Sequence, residues 1–156
     1  MRYVVKKPNP KSQRWMQYVR RRGFEAEREL VRGLRRLGVL AWRIPASGMY
    51  ESRRKMSLPD VIAFCKGEFL GFQVKSTAKD SFVVYRRFLE PLDAWLSDVL
   101  SHGVPARAFI AVKFTGNFWV VRKTDCSEEK TVIRVGEATR LRSQLLVALG
   151  LQARLG

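Results

Sequence analysis

Leu30, Val31, Leu34 and Leu37 recur at the three- and four-residue spacing of a helix, and no proline interrupts the chain from Trp15 to Leu37. Arg28, Glu29, Arg32, Arg35 and Arg36 fall mostly on the other side, so the pattern predicts an amphipathic helix that Gly38 ends. Three strand-like runs follow: Val39 to Ile44, Val61 to Cys65, and Phe69 to Ser76. Lys66-Gly67 predicts a tight turn between the last two. Between the first two runs lies ASGMYESRRKMSLP, polar and basic and without a period, which reads as a surface loop. Leu89, Leu92, Trp95, Leu96, Val99 and Leu100 predict a second helix after Tyr85, with Pro91 placed in its first turn and Gly103 at its end. Ala108 to Phe114 and Phe118 to Arg122 predict a hairpin, Thr131 to Val135 an edge strand, and 138–149 a final helix. The order predicts an α/β domain in which helices cover a mixed sheet.

Length and composition narrow this picture. A chain of 156 residues, 46% hydrophobic, fits one domain over 15–156 behind a flexible basic arm at 1–14, which carries Pro8 and Pro10 among lysines. Thirty Lys and Arg against fourteen Asp and Glu give a net charge of +16, which points to a polyanionic partner. No apolar run is long enough for a membrane span or a secretory signal, so a cytoplasmic protein is expected. Cys65 and Cys126 form no CxxC pair and His102 is the single histidine, so zinc chemistry is excluded and any metal must be held by oxygen. His102 itself precedes Gly103 at a helix end, where a cation suits the dipole.

Three groups of residues carry candidate chemistry. Glu27 lies three and four residues before Leu30 and Val31 and shares their stripe. A carboxylate there needs a cation, either a metal ion or one of the many arginines, and an ordinary salt bridge is the simpler reading of this residue alone. Asp60 opens the second strand, and alternation puts Gln73 and Lys75 on one face of the third. If those strands pair, an acid, an amide and an ammonium converge, a set able to hold magnesium and act on a phosphate, although polar strand ends are also common decoration. Arg43 leads through Ser47 and Gly48 into a loop with Arg53, Arg54 and Lys55, which suits a DNA backbone or else carries only solvated charge.

In order and spacing, RRRGFEAERELVRGLRRLG, WRIPASG, LPDVIAF, GEFLGFQVKST and the FVVYRRF segment opening the second helix resemble the archaeal Holliday junction resolvases of the PD-(D/E)xK nuclease superfamily. The likeness covers roughly residues 20 to 115, fits AFIAVKF as well, and implies a restriction-endonuclease-like fold. It implies that Glu27, Ser47, Asp60, Gln73 and Lys75 form the active site. Glu27, Asp60, Gln73 and the Val74 carbonyl would be ligands for Mg2+, with Mn2+ as a substitute. Gln73 departs from the family, which usually has glutamate there, and an amide brings an oxygen but no negative charge.

The resemblance further implies a homodimer that grips a four-way junction during recombination and repair and nicks two opposing strands, leaving a 5′-phosphate and a 3′-hydroxyl. Arg20, Arg21, Arg22, Arg43, Ser47, Arg53, Arg54, Lys55 and Arg86 would contact the DNA. Two rival readings stand beside it: a non-catalytic junction- or DNA-binding protein of the same fold, and a same-fold nuclease for another DNA structure. Leu145, Leu146 and Leu149 fit either a partner or the protein's own sheet. Any recombination or replication protein partner is not legible.

Overall fold

The structure, a computed structural model, describes residues 13–45, 58–124 and 127–151. Helix α1 (Gln13–Arg36) is followed by strands β1 (Leu40–Arg43), β2 (Val61–Cys65), β3 (Glu68–Ser76) and β4 (Ser81–Tyr85). Helix α2 (Arg86–Ser101) leads to β5 (Ala106–Phe114), β6 (Phe118–Lys123) and β7 (Lys130–Arg134), and a short β8 (Thr139–Arg140) runs into α3 (Leu141–Ala148). The main sheet has the order β1-β2-β3-β5-β6-β8; β3 and β5 are parallel and every other pair is antiparallel. β4 and β7 form a separate antiparallel pair.

Local chemistry accounts for the joints. α1 ends as expected at Gly38, whose φ of +79° allows its N–H to bond the Arg35 carbonyl and that of Val39 to reach Leu34. Lys66 and Gly67, both at positive φ, make the two-residue turn that pairs Cys65 with Glu68. β5 is one of the two central strands, covered on both faces, and therefore reads as an almost continuous apolar run. One core lies between the sheet and α1 with α3, around Leu30, Leu34, Phe72, Phe109, Trp119 and Leu145. The other lies beneath α2, around Leu92, Trp95, Val112, Phe114 and Ile133.

Several boundaries differ from the sequence reading. Residues 82–85 form a strand instead of opening the second helix, because β7 supplies a ladder partner for a run of aromatic and β-branched residues. Thr131 to Val135 is thus not an edge of the main sheet but the mate of β4. Pro91 is the sixth residue of α2, beyond its first turn. It removes one helical bond, to the Arg87 carbonyl, at an exposed residue where water can replace it. α3 starts at Leu141 because Thr139 and Arg140 pair with β6 first. Leu145 and Leu149 are buried in the α1-side core, so the protein's own sheet accounts for both. Helix α1 takes in Gln13 and Arg14 from the expected arm; residues 1–12 lie outside the described residues.

Candidate active site

Asp60 sits one residue before β2 and is fixed to β3 by two bonds. Its N–H donates to the Phe72 carbonyl (3.0 Å), and its Oδ2 accepts the Val74 N–H (2.9 Å). The side chain thereby takes the ladder position that the backbone of β2 leaves vacant, and the Val61–Phe72 register carried one step further sets Asp60 opposite Gln73. Just upstream, buried Pro59 lies against Gly71, where an added Cβ would come within 2.9 Å of the proline ring.

Glu27 arrives from α1. Its side chain is 12% exposed, and Oε2 accepts a bond from Arg43 Nη1 at 3.3 Å. Burial, and then the charge of Asp60, raise its carboxyl from 4.5 to about 7 despite the opposing pull of Arg43 and Lys75. Two carboxylates and an ammonium therefore share one electrostatic neighbourhood. Phe72 and Val74 belong to the core under α1, so Gln73 and Lys75 emerge on the opposite face of β3. Glu27, Asp60 and Lys75 share their charges near the end of the sheet where β1 stops and β2 begins, and the β2–β3 register sets Gln73 next to Asp60.

Arg43, expected on DNA, is the cation that meets Glu27, and its guanidinium lies 4.8 Å from the centre of the Phe24 ring. Arg20, Arg21 and Arg86 are exposed, and Arg22 stacks over Tyr18. Ser47, Arg53, Arg54 and Lys55 lie outside the described residues. Sequence reasoning missed Phe24 and the pair Lys113–Glu29 (2.7 Å), which ties the far end of β5 to α1. A lysine within the apolar run of AFIAVKF was the available signal. It also missed the cluster Tyr85, Arg87 and Phe88, where the guanidinium lies 5.4 Å and 5.2 Å from the two rings.

Among the described residues no three His, Cys, Asp or Glu side chains gather as a metal cluster. The donors at the site are two carboxylates and an amide oxygen, hard ligands of the kind Mg2+ takes, and mutual repulsion of the carboxylates is what a bound cation relieves. The set fits a divalent ion, with one negative charge fewer than a three-carboxylate site.

A family model described as archaeal Holliday junction resolvase matches residues 18–149. In fold the chain is similar to the Holliday junction resolvase Hjc of Archaeoglobus fulgidus, a hyperthermophilic archaeon, with a TM-score of 0.55 at 18% identity. That likeness covers 76% of this chain and 94% of the other. The curated proteins contain no match.

Proposed function

Because the chain belongs to the archaeal Holliday junction resolvase family, we propose that it resolves four-way DNA junctions by two nicks, one from each subunit of a homodimer. The observation that carries the active-site assignment is the Asp60 carboxylate held at the Val74 N–H opposite Gln73, with Glu27 near enough to feel its charge. Asp60, the Gln73 amide oxygen and the Val74 carbonyl are the ligands for Mg2+ or Mn2+, with Glu27 beside them. Within a strand a residue's N–H and C=O share one edge, so the bond from Val74 N–H to Asp60 also turns the Val74 carbonyl toward the site. When bound, the ion supplies positive charge to the scissile phosphate and its leaving oxygen.

The chain's own residues do the rest. Lys75 places the attacking water and offsets charge on the phosphate. Glu27, half protonated near neutrality, accepts or returns a proton at its carboxyl while Arg43 holds its orientation. Arg20, Arg21, Arg22 and Arg86 hold the DNA backbone. Ser47 with Arg53, Arg54 and Lys55 keep the phosphate-positioning role that the resemblance implies. In-line attack leaves a 5′-phosphate and a 3′-hydroxyl. No described helix is long and apolar enough to cross a membrane; a chromosomal junction as substrate supports the reading of a cytoplasmic protein.

A labelled synthetic junction, incubated with Mg2+ or Mn2+ beside a linear duplex, tests the reading with wild type and Asp60→Asn. Paired symmetric nicks that vanish in the variant, while its gel-shift with the junction persists, are expected. The amide at Gln73 favours one second reading, a junction-binding protein without cleavage. Tight junction binding by the wild type with no nicks in either metal would establish that alternative.

A further inference from the structure

Helix α1 has two halves. From Ala26 onward the stripe Ala26, Leu30, Val31 and Leu34 is buried on the sheet, whereas every residue of 13–21 is exposed. Arg22 and Glu25 border one cleft with Ser76 and Lys113, at the ends of β3 and β5, so the helix clears the sheet there. Residues 13–21 therefore project by about 13 Å at the helical rise. They do so at the end where Glu27, Asp60 and Lys75 meet.

The apolar stripe does not stop with the sheet. Trp15 and Val19 stand seven residues and more ahead of Ala26 at the same helical phase, and Trp15, Tyr18 and Val19 are 40–51% exposed. The Trp15 and Tyr18 rings lie 5.8 Å apart, and the Arg22 guanidinium is 5.7 Å from the Tyr18 ring. Charge is equally one-sided. Arg14, Arg20, Arg21 and Arg22 occur with no acid before Glu25, although the start of a helix is its positive pole and the first turn holds no acidic residue. A polyanion relieves the crowded positive charge, and a flat, apolar group attached to that polyanion fits the exposed rings.

Resting on the proposed function, we infer that the overhanging start of α1 is a stacking platform for unstacked bases at the branch point of junction DNA. Trp15 and Tyr18 take the bases while the four arginines take the flanking phosphates. A continuous duplex keeps its bases stacked inside and offers only phosphate; a branch point frees base faces beside the scissile strand. The family match begins at residue 18, so Tyr18, Arg20, Arg21 and Arg22 lie within it and Arg14 and Trp15 ahead of it.

The test compares full-length wild type, Trp15→Ala/Tyr18→Ala and Trp15→Phe/Tyr18→Phe. It reads affinity for a junction and for a linear duplex of equal length at one salt concentration, together with mass in solution. The alanine pair is expected to bind the junction about tenfold more weakly and the duplex within about twofold of wild type, with the phenylalanine pair retaining most of the affinity. Equal losses on junction and duplex would overturn the platform, leaving a phosphate-binding helix. An altered mass with unchanged junction preference would also overturn it, assigning the stripe to a second copy. A wild type without junction preference would instead sink the resolvase reading, so the two failures are distinguishable.

Discussion

Glu27 holds its proton to about pH 7 first because it is buried and then because Asp60 is charged. Its folded-state value exceeds the unfolded one, so the proton favours the native state. That contribution is complete below about pH 4.5 and is lost as the pH rises through 7. In chelator, the stability of wild type relative to Glu27→Gln is expected to fall between pH 5 and 8, by on the order of 3 kcal/mol at most. Urea denaturation at the two pH values measures it. A bound divalent ion takes the place of that proton, so magnesium affinity should rise over the same interval. Gln73→Glu adds the missing negative charge. It is expected to lower the magnesium concentration for half-maximal cleavage by on the order of tenfold, and a metal titration of junction nicking would show it. An unchanged midpoint would mean that residue 73 is not a ligand.

Elements place these residues, and Gly71 shows how tightly. A Cβ there would lie 2.5 Å from the Trp95 ring and 2.9 Å from Pro59, with a rigid group on each side. Gly71→Ala is expected to cost about 1–3 kcal/mol in chemical denaturation, as overpacking does. It should also lower cleavage at temperatures where the variant remains folded, because Pro59 precedes Asp60. The strand-like runs VIAFC and FLGFQVKS with Lys66-Gly67 between them made β2, β3 and their turn legible in sequence, and a proline-free stripe made α1 legible. β4 escaped because FVVY pairs with a strand some fifty residues downstream, and no local signal marks such a partner.

For the whole molecule, a net charge of +16 predicts binding governed by phosphate neutralisation. The logarithm of junction affinity should fall linearly with the logarithm of salt, and Arg20→Ala and Arg21→Ala should each reduce the slope by about 0.9. Fluorescence anisotropy between low and moderate salt measures this. The proposed homodimer, with one site per strand, makes another expectation. Wild type mixed and reannealed with Asp60→Asn should yield junctions nicked on one strand only, seen as a single-nick product on a denaturing gel. Unaltered paired nicking at every mixing ratio would place both cuts in one subunit.

By itself the sequence determined the fold class, the two major helices, the β2–β3 hairpin and the basic partner class, because periodicity, turn chemistry and net charge are properties of neighbours along the chain. The candidates Glu27, Asp60, Gln73 and Lys75 were legible through motif order and the resemblance it carried. Only the tertiary structure decided that Arg43 is the cation opposite Glu27, since residues 27 and 43 meet through the packing of α1 on β1. It also decided that the Asp60 carboxylate completes a ladder on β3, and that burial first and the Asp60 charge second push the Glu27 carboxyl upward. Burial and long-range charge depend on which surfaces are brought together in space, and a one-dimensional pattern records neither.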